Sequence, residues 1–153
     1  MGQEIERKFL VVGSGWREGS PGLSVRQGYL CLAPERTVRI RIQEDRGFLT
    51  IKGEAEGLTR PEFEYPIPLA DARDLLGLVT GAIIEKTRYR TVHAGLIWDV
   101  DEFLGTNVPL VLAECELSTP DQRIVPPPWV GQEVTGDPRY FNSYLAQNPF
   151  GTW

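Results

Sequence analysis

The chain has 153 residues, a formal net charge of −5 and only two cysteines, Cys31 and Cys115. This length is typical of one domain with a substantial core, so we expect a single domain over residues 1–153. General nucleic-acid binders usually carry a basic surplus, so the acidic balance argues against that class of partner. Because the cysteines lack a CxxC-type spacing, the sequence indicates neither a thiolate metal site nor a structural disulfide.

The first residues show no basic region followed by an apolar run, which argues against a secretory signal. The sequence also lacks an apolar stretch long enough for a membrane helix. We therefore expect a cytoplasmic protein without a membrane partner.

The first predicted strand, residues 4–10, places three charges on one face. Side chains alternate between the two faces of a strand, so Glu4, Glu6 and Lys8 share a face and the opposite face is largely apolar. A charge that faces a closed interior needs a counter-charge, a metal ion or a polyanion, because an unpaired buried charge is very costly. The strand therefore predicts a charged interior or a solvated face.

Later segments repeat this alternation. The predicted strands are residues 23–32, 37–43, 48–53, 60–67, 83–92, 96–103 and 108–117, and helices are predicted over residues 69–79 and 137–147. The charged or polar residues that share strand faces are Arg39 with Arg41, Thr50 with Lys52, Glu62 with Glu64, Lys86 with Arg88 and Arg90, Asp99 with Asp101, and Glu114 with Glu116. Gly28, inside the second strand, indicates a bulge.

About eight strands with one charged and one apolar face fit two architectures. A sandwich hides its apolar faces and leaves the charges in water, whereas a closed barrel of eight strands can enclose a small ligand. Cations occupy some strands and carboxylates occupy others, which favours a divided cavity over a solvated surface. An outer-membrane barrel would need export and aromatic girdles, and the sequence shows no export signal. Periodicity alone leaves the sandwich and the barrel open.

The segment Glu4-Ile5-Glu6-Arg7-Lys8 resembles the ExExK signature of the CYTH, or triphosphate tunnel metalloenzyme, superfamily. The paired charges on the later strands resemble its successive motifs in order, and residues 134–140 resemble its C-terminal stretch. The resemblance implies an α+β fold: an eight-stranded antiparallel closed β-barrel with a polar, charged lumen and a few helices packed outside. It also implies binding of a small-molecule triphosphate together with a divalent metal.

Two further segments look most like the bacterial inorganic triphosphatases of this superfamily, namely residues 26–30 and 126–129. The resemblance therefore implies metal-dependent hydrolysis of tripolyphosphate to pyrophosphate and phosphate. A class IV-type adenylate cyclase, a nucleoside or thiamine triphosphatase and a non-catalytic polyphosphate-binding module remain alternatives. The sequence leaves the oligomeric state open.

Each residue type suits a role in such a site. Arginine forks and lysine ammonium groups bind phosphate oxygens, which gives the substrate-binding set Lys8, Arg39, Arg41, Lys52, Lys86 and Arg88. Carboxylates are the hard ligands that Mg²⁺ or Mn²⁺ prefers, which gives the metal set Glu4, Glu6, Glu64, Asp101, Glu114 and Glu116. The catalytic candidates are Lys86 for the leaving oxygen, Glu4 and Glu6 for the attacking water, and Tyr29 as a helper, although Tyr29 is also explained as a packing residue.

Overall fold

The computed structural model describes residues 2–153, which form nine strands and two α-helices. The strands are β1 (Gly2–Val11), β2 (Leu23–Ala33), β3 (Arg36–Gln43), β4 (Arg46–Gly53), β5 (Thr59–Ile67), β6 (Thr80–His93), β7 (Leu96–Phe103), β8 (Val111–Glu116) and β9 (Val130–Glu133). The helices are α1 (Leu69–Leu76) and α2 (Asn142–Leu145), and 3₁₀ turns cover Gly15–Arg17, Gly105–Asn107, Pro138–Tyr140 and Phe150–Thr152. Within residues 2–153, every helix is too short or too polar to span a bilayer.

Eight of the strands close into the expected antiparallel barrel. The hydrogen-bonded order is β5-β4-β3-β2-β6-β7-β8-β1, and a β5–β1 pairing joins the two ends. The first residues of β1, Gly2 to Ile5, pair with β5, and Phe9 and Val11 pair with β9. The ninth strand therefore extends the sheet beside β1 without interrupting the closure.

Hydrophobic clusters cover the outer face of the barrel. Helix α1 packs on β3 and β4, where Ile40, Ile42, Ala72 and Leu76 are buried. A second cluster on β1, β7 and β8 is centred on Trp98, which is fully buried. Because the apolar faces are used outside, the charged faces of the same strands point into the lumen.

Gly28 occupies the predicted bulge, where the β2–β6 register shifts between Gln27 and Tyr29. A Cβ atom at Gly28 would lie 2.8 Å from Cγ1 of Val79, so only glycine permits this approach. The predicted helix over residues 69–79 ends earlier, at Leu76, because Gly77 caps it and the chain turns toward β6.

Apolar side chains fill one end of the barrel. On the inward faces of β6, β7 and β8 the charged residues give way to Ile84, Phe103 and Leu112, which pack with Leu145 of α2. The expected helix over residues 137–147 is a 3₁₀ turn followed by the short α2, and it covers this end of the barrel instead of the outer wall. The lumen is therefore closed at an apolar floor.

Candidate active site

The charged lumen is a single cavity of about 550 Å³. The sequence-predicted residues that line it are Glu4, Glu6, Lys8, Tyr29, Arg39, Arg41, Lys52, Glu64, Lys86, Arg88, Glu114 and Glu116. Side chains from β1, β2, β3, β4, β5, β6 and β8 therefore converge on one space. Asp101 is buried behind this lining and does not belong to it.

Asp101 holds the two inward cations of β6. Its oxygens accept hydrogen bonds from Nε and Nη2 of Arg88 at 2.7 and 2.9 Å, and Nζ of Lys86 lies 2.8 Å away. Burial alone would raise the pKa of Asp101, but the charges of Arg88 and Lys86 outweigh it and hold that pKa below its usual range. Burial lowers the pKa of Lys86 to about 7, despite the nearby Asp101 carboxylate.

The β3 arginines are held by neutral groups and by one glutamate. Arg39 donates to the hydroxyl of Thr50 at 3.1 Å and pairs with Glu64 at 3.4 Å, and Thr50 donates to the same Glu64 oxygen at 2.9 Å. Arg41 donates from Nε to Oε1 of Gln27 at 2.8 Å. Within residues 2–153, Nε of Arg39 is a buried donor without a hydrogen-bond partner.

Carboxylates of β1 and β8 face each other with little compensation. Glu6 lies opposite Glu116, and Lys8 lies opposite Glu114, in the antiparallel register. Glu114 is 3.8 Å from Nζ of Lys8, whereas the described residues place no cation within 4.0 Å of the carboxylates of Glu6 and Glu116.

The pKa values of these carboxyls reflect that imbalance. Burial, together with the nearby charges of Glu114 and Glu4, raises the pKa of Glu6 to about 8. Burial would also raise the pKa of Glu114, but the charges of Lys8 and Arg88 lower it to about 2. The site therefore contains one carboxylate balanced by cations and a neighbour that is not.

Glu4 is already engaged in an ion pair. Nζ of Lys52 lies 2.9 Å from its Oε2 and 3.4 Å from Oε2 of Glu62. Burial opposes ionisation of Glu4, but Lys52 outweighs it and lowers the pKa. The pKa of Glu62 rises to about 7 because of burial and a hydrogen bond with Glu4. Glu4 and Glu62 therefore share one proton more readily than they both ionise, so they do not provide two free carboxylates.

The fit of a divalent cation rests on the uncompensated acids. Within residues 2–153, no group of three or more His, Cys, Asp or Glu side chains is arranged to hold a metal ion. Mg²⁺ commonly binds to one or two carboxylates together with substrate phosphates and water. Glu6 and Glu116, which have no cation within 4.0 Å among the described residues, and the neighbouring Glu114 offer the one or two carboxylates that this mode needs, and the substrate would supply the remaining oxygens.

Several residues at the site were not among the predicted site residues. Asn142 in the lining and Gln27 buried behind it link the cations at the floor, and Arg60, Arg90 and Asp99 line the same cavity. Strand phase already placed Arg90 and Asp99 on charged faces, although without a site role, and it could also have identified Arg60, which shares a face with Glu62. No periodic signal marks Asn142, because it lies in a short helix after a proline-containing turn.

The comparisons with known proteins agree with this geometry. The CYTH domain family matches residues 2–141. An inorganic triphosphatase of Acetivibrio thermocellus is 47% identical over 153 residues, covering 98% of this chain and 97% of that protein. An inorganic triphosphatase of Nitrosomonas europaea is 40% identical over 148 residues, covering 94% and 96%.

Solved structures show the same fold. The crystal structure of the inorganic triphosphatase NE1496 matches with a TM-score of 0.68 and 38% identity, covering 94% of this chain and 93% of that one. A putative adenylate cyclase from Bacillus halodurans matches with a TM-score of 0.55 and 18% identity, covering 78% and 84%, and supports the fold alone. The motif-based family prediction and the barrel prediction are confirmed.

Proposed function

The chain belongs to the CYTH domain family, and from that premise we propose that it hydrolyses inorganic tripolyphosphate to pyrophosphate and phosphate in the barrel cavity. The observation that carries the proposal is a single closed lumen in which cations from β1, β3, β4 and β6 surround uncompensated carboxylates of β1 and β8. A cation cavity alone would serve a binding module. The carboxylates would repel a polyanion unless a metal ion lay between the carboxylates and the phosphates. Their presence therefore favours a metal-dependent enzyme over a module that only binds polyphosphate.

The cations bind and orient the phosphate chain. Four strands, β1, β3, β4 and β6, bring six cations to the cavity: Lys8, Arg39, Arg41, Lys52, Lys86 and Arg88. Asp101 uses Nε and Nη2 of Arg88, and Gln27 uses Nε of Arg41, so the remaining guanidinium donors are available to phosphate oxygens. Holding the substrate against fixed donors lowers the entropic cost of reaching the in-line geometry for attack.

Triphosphatases of this family depend on a metal ion, and we propose Mg²⁺ or Mn²⁺. One or two of Glu6, Glu114 and Glu116 would hold it together with substrate oxygens, and Glu4 and Glu64 lie nearby but are engaged with Lys52 and Arg39. When bound, such an ion polarises phosphoryl oxygens and lowers the pKa of bound water. We assign Asp101 to positioning Lys86 and Arg88, because those cations occupy its oxygens.

The reaction forms a bond between a water oxygen and the terminal phosphorus and breaks the bridging P–O bond. Glu4 or Glu6 orders the water and takes its proton, while Lys86 stabilises the oxygen that leaves with pyrophosphate. Tyr29 is buried at the boundary between the apolar floor and the cavity. It is placed to donate to a phosphate oxygen or to pack, and its catalytic role stays a prediction.

Phosphate release from tripolyphosphate, ATP, GTP and thiamine triphosphate, each with Mg²⁺ and with Mn²⁺, tests the proposal. We expect tripolyphosphate to be the best substrate, no turnover with chelator, and poor turnover with Ca²⁺ because its looser coordination misplaces the reacting water. Glu114→Gln and Glu116→Gln should each abolish activity with an unchanged circular dichroism spectrum. Full activity in both variants would contradict the metal assignment, and formation of cyclic AMP from ATP would favour the cyclase alternative.

A further inference from the structure

A chain of hydrogen bonds crosses the cavity floor between two cations. Nε of Arg41 donates to Oε1 of Gln27 at 2.8 Å, and Nε2 of Gln27 donates to Oδ1 of Asn142 at 2.9 Å. The same Oδ1 accepts from Nζ of Lys86 at 3.0 Å. Gln27 is fully buried, and Asn142 lines the cavity, so the chain is part of the site wall.

The two cations fix the orientation of both amides. A guanidinium and an ammonium group only donate, so Gln27 must present its oxygen to Arg41 and its NH₂ to Asn142. Asn142 then faces two donors, from Gln27 and Lys86, and must present its oxygen to both. Turning either amide would place two donors against each other. The network therefore has one arrangement of its amide groups.

This network sets the direction of one Lys86 donor. An ammonium group has three N–H bonds. Asp101 accepts at 2.8 Å and Asn142 accepts at 3.0 Å, which leaves the third N–H for the cavity that Lys86 lines. Lys86 is almost completely buried, so bulk water does not compete for its donors and the direction of the third N–H stays fixed. Without Asn142, the ammonium group would be free to turn about its contact with Asp101.

We propose that Asn142 is a positioning residue that aims Lys86, and through Gln27 also Arg41, at the bound phosphates. The inference rests on the proposed triphosphatase function. It explains why position 142 carries a neutral amide and not a second carboxylate. Asp101 already provides one negative charge against Lys86 and Arg88. A neutral acceptor fixes the donors without cancelling the positive field that attracts a polyanion.

Asn142→Asp separates positioning from simple structural support. The carboxylate keeps both acceptor bonds, so the variant should fold with a melting temperature at or above that of the wild type. Its charge opposes the phosphates and draws Lys86 toward itself. We expect kcat for tripolyphosphate to fall about 100-fold and metal-free tripolyphosphate binding, measured calorimetrically, to weaken about tenfold.

Asn142→Ala removes both acceptor bonds, and Gln147→Ala is the matched control. Gln147 lies two residues beyond α2 and is exposed. We expect a fall in kcat of about tenfold for Asn142→Ala, with a smaller change in KM, because a misdirected donor costs most at the transition state. Gln147→Ala should leave kcat, KM and melting temperature unchanged. If Asn142→Ala does not fold, the Asp variant alone decides.

The outcomes separate the two hypotheses. A well-folded Asn142→Asp enzyme with wild-type kcat and wild-type binding would overturn the positioning role and leave the triphosphatase function intact. A wild-type protein without tripolyphosphate hydrolysis would overturn the function. In that case, weaker tripolyphosphate binding by Asn142→Asp would still support the positioning role, and unchanged binding would overturn it too.

Discussion

Two walls of the cavity differ in how their charges are balanced. On β6 and β7, Lys86 and Arg88 are held by Asp101 at distances of 2.7 to 2.9 Å. On β1 and β8, Glu6 and Glu116 face each other, and the described residues place no cation within 4.0 Å of either carboxylate. The first wall is an assembled set of ion pairs, whereas the second contains two like charges, Glu6 and Glu116, without a counter-charge within that distance.

The difference separates what stabilises the fold from what serves the reaction. Breaking an ion pair on the β6–β7 wall leaves a buried charge without its partner, which costs stability. Removing the charge of Glu6, whose pKa is raised, relieves repulsion and should stabilise the metal-free protein, although it removes a candidate metal ligand. Neutralising Asp101 and neutralising Glu6 should therefore change the free energy of unfolding in opposite directions.

Glu6→Gln should affect both activity and stability strongly, with a loss of activity of the same kind as that expected for Glu114→Gln and Glu116→Gln. We expect turnover of tripolyphosphate to fall a hundredfold or more, because Glu6 is an uncompensated candidate ligand. In metal-free buffer at pH 8, the free energy of unfolding should rise by about 2 kcal/mol, less than the full pKa shift implies because Glu6 is partly exposed to the cavity. Steady-state kinetics and denaturant unfolding measure the two effects.

The pH dependence sharpens this test. The folded pKa of Glu6 is about 8, above its ordinary value of 4.5. A carboxyl with a raised pKa contributes stability below about pH 4.5 and loses it as the pH rises through 8. Unfolding curves of the wild-type protein in a buffer with chelator should show this loss of stability between about pH 4.5 and 8, and those of Glu6→Gln should not. Glu85→Gln, on an exposed outward carboxylate, is the control, and an identical pH profile in wild type and Glu6→Gln would contradict the repulsion.

Asp101→Asn should have the largest effect on stability. It removes the carboxylate that Lys86 and Arg88 share, and breaking a buried pair on one side costs about 3 to 5 kcal/mol. Glu102→Gln neutralises the next residue of β7, whose partner Arg17 is exposed, and should cost less than about 1 kcal/mol. Metal affinity measured by calorimetry should survive in Asp101→Asn. A complete loss of metal binding in a folded variant would return Asp101 to the ligand set.

The barrel could be predicted from the sequence because the signal is local and repeated. The pair Arg39 and Arg41 and the pair Glu114 and Glu116 each follow from strand periodicity, and their order along the chain matches one family. Which charges pair across strands depends on register, which periodicity does not supply. Asp101 illustrates this. Strand phase predicted that its side chain faces the lumen, but only the β6–β7 register shows that it lies opposite Arg88.

The closed end of the lumen could not be predicted for a related reason. Ile84 and Leu112 are in phase with charged residues, but apolar residues at inward positions do not show by themselves what closes the lumen. The partner that covers them, α2, is only four residues long and lies in an irregular C-terminal segment. Helix periodicity needs more residues than that, so Asn142 became visible only in three dimensions.

Lys52→Met should have an intermediate effect on stability, because Lys52 forms an ion pair with Glu4, a carboxylate on the same strand as Glu6. The variant keeps the buried stem and leaves Glu4 without its counter-charge, at a cost of about 1 to 3 kcal/mol at pH 7. Glu4 has a lowered pKa, so its contribution is present above pH 4.5 and is lost as the pH falls. The deficit should therefore shrink toward pH 3. Arg36→Met, at an exposed cation, is the control, and a pH-independent deficit would contradict the ion pair.

Arg90→Ala should have the smallest effect. Arg90 continues the inward face of β6 beyond Arg88, but its side chain is 59% exposed, and its partner Asp99 also lines the cavity. An exposed pair contributes about 0 to 1 kcal/mol, and a rim charge acts mainly on association with a charged ligand. We expect unchanged unfolding, unchanged kcat and a KM that rises two- to fivefold at low salt. That difference should disappear at high ionic strength, because salt screens exposed charges beyond about 3 Å at 1 M. A fall in kcat that persists in high salt would instead place Arg90 among the groups that contact the reacting phosphate. The set of functional cations on the β6–β7 wall would then include Arg90 as well as Lys86 and Arg88.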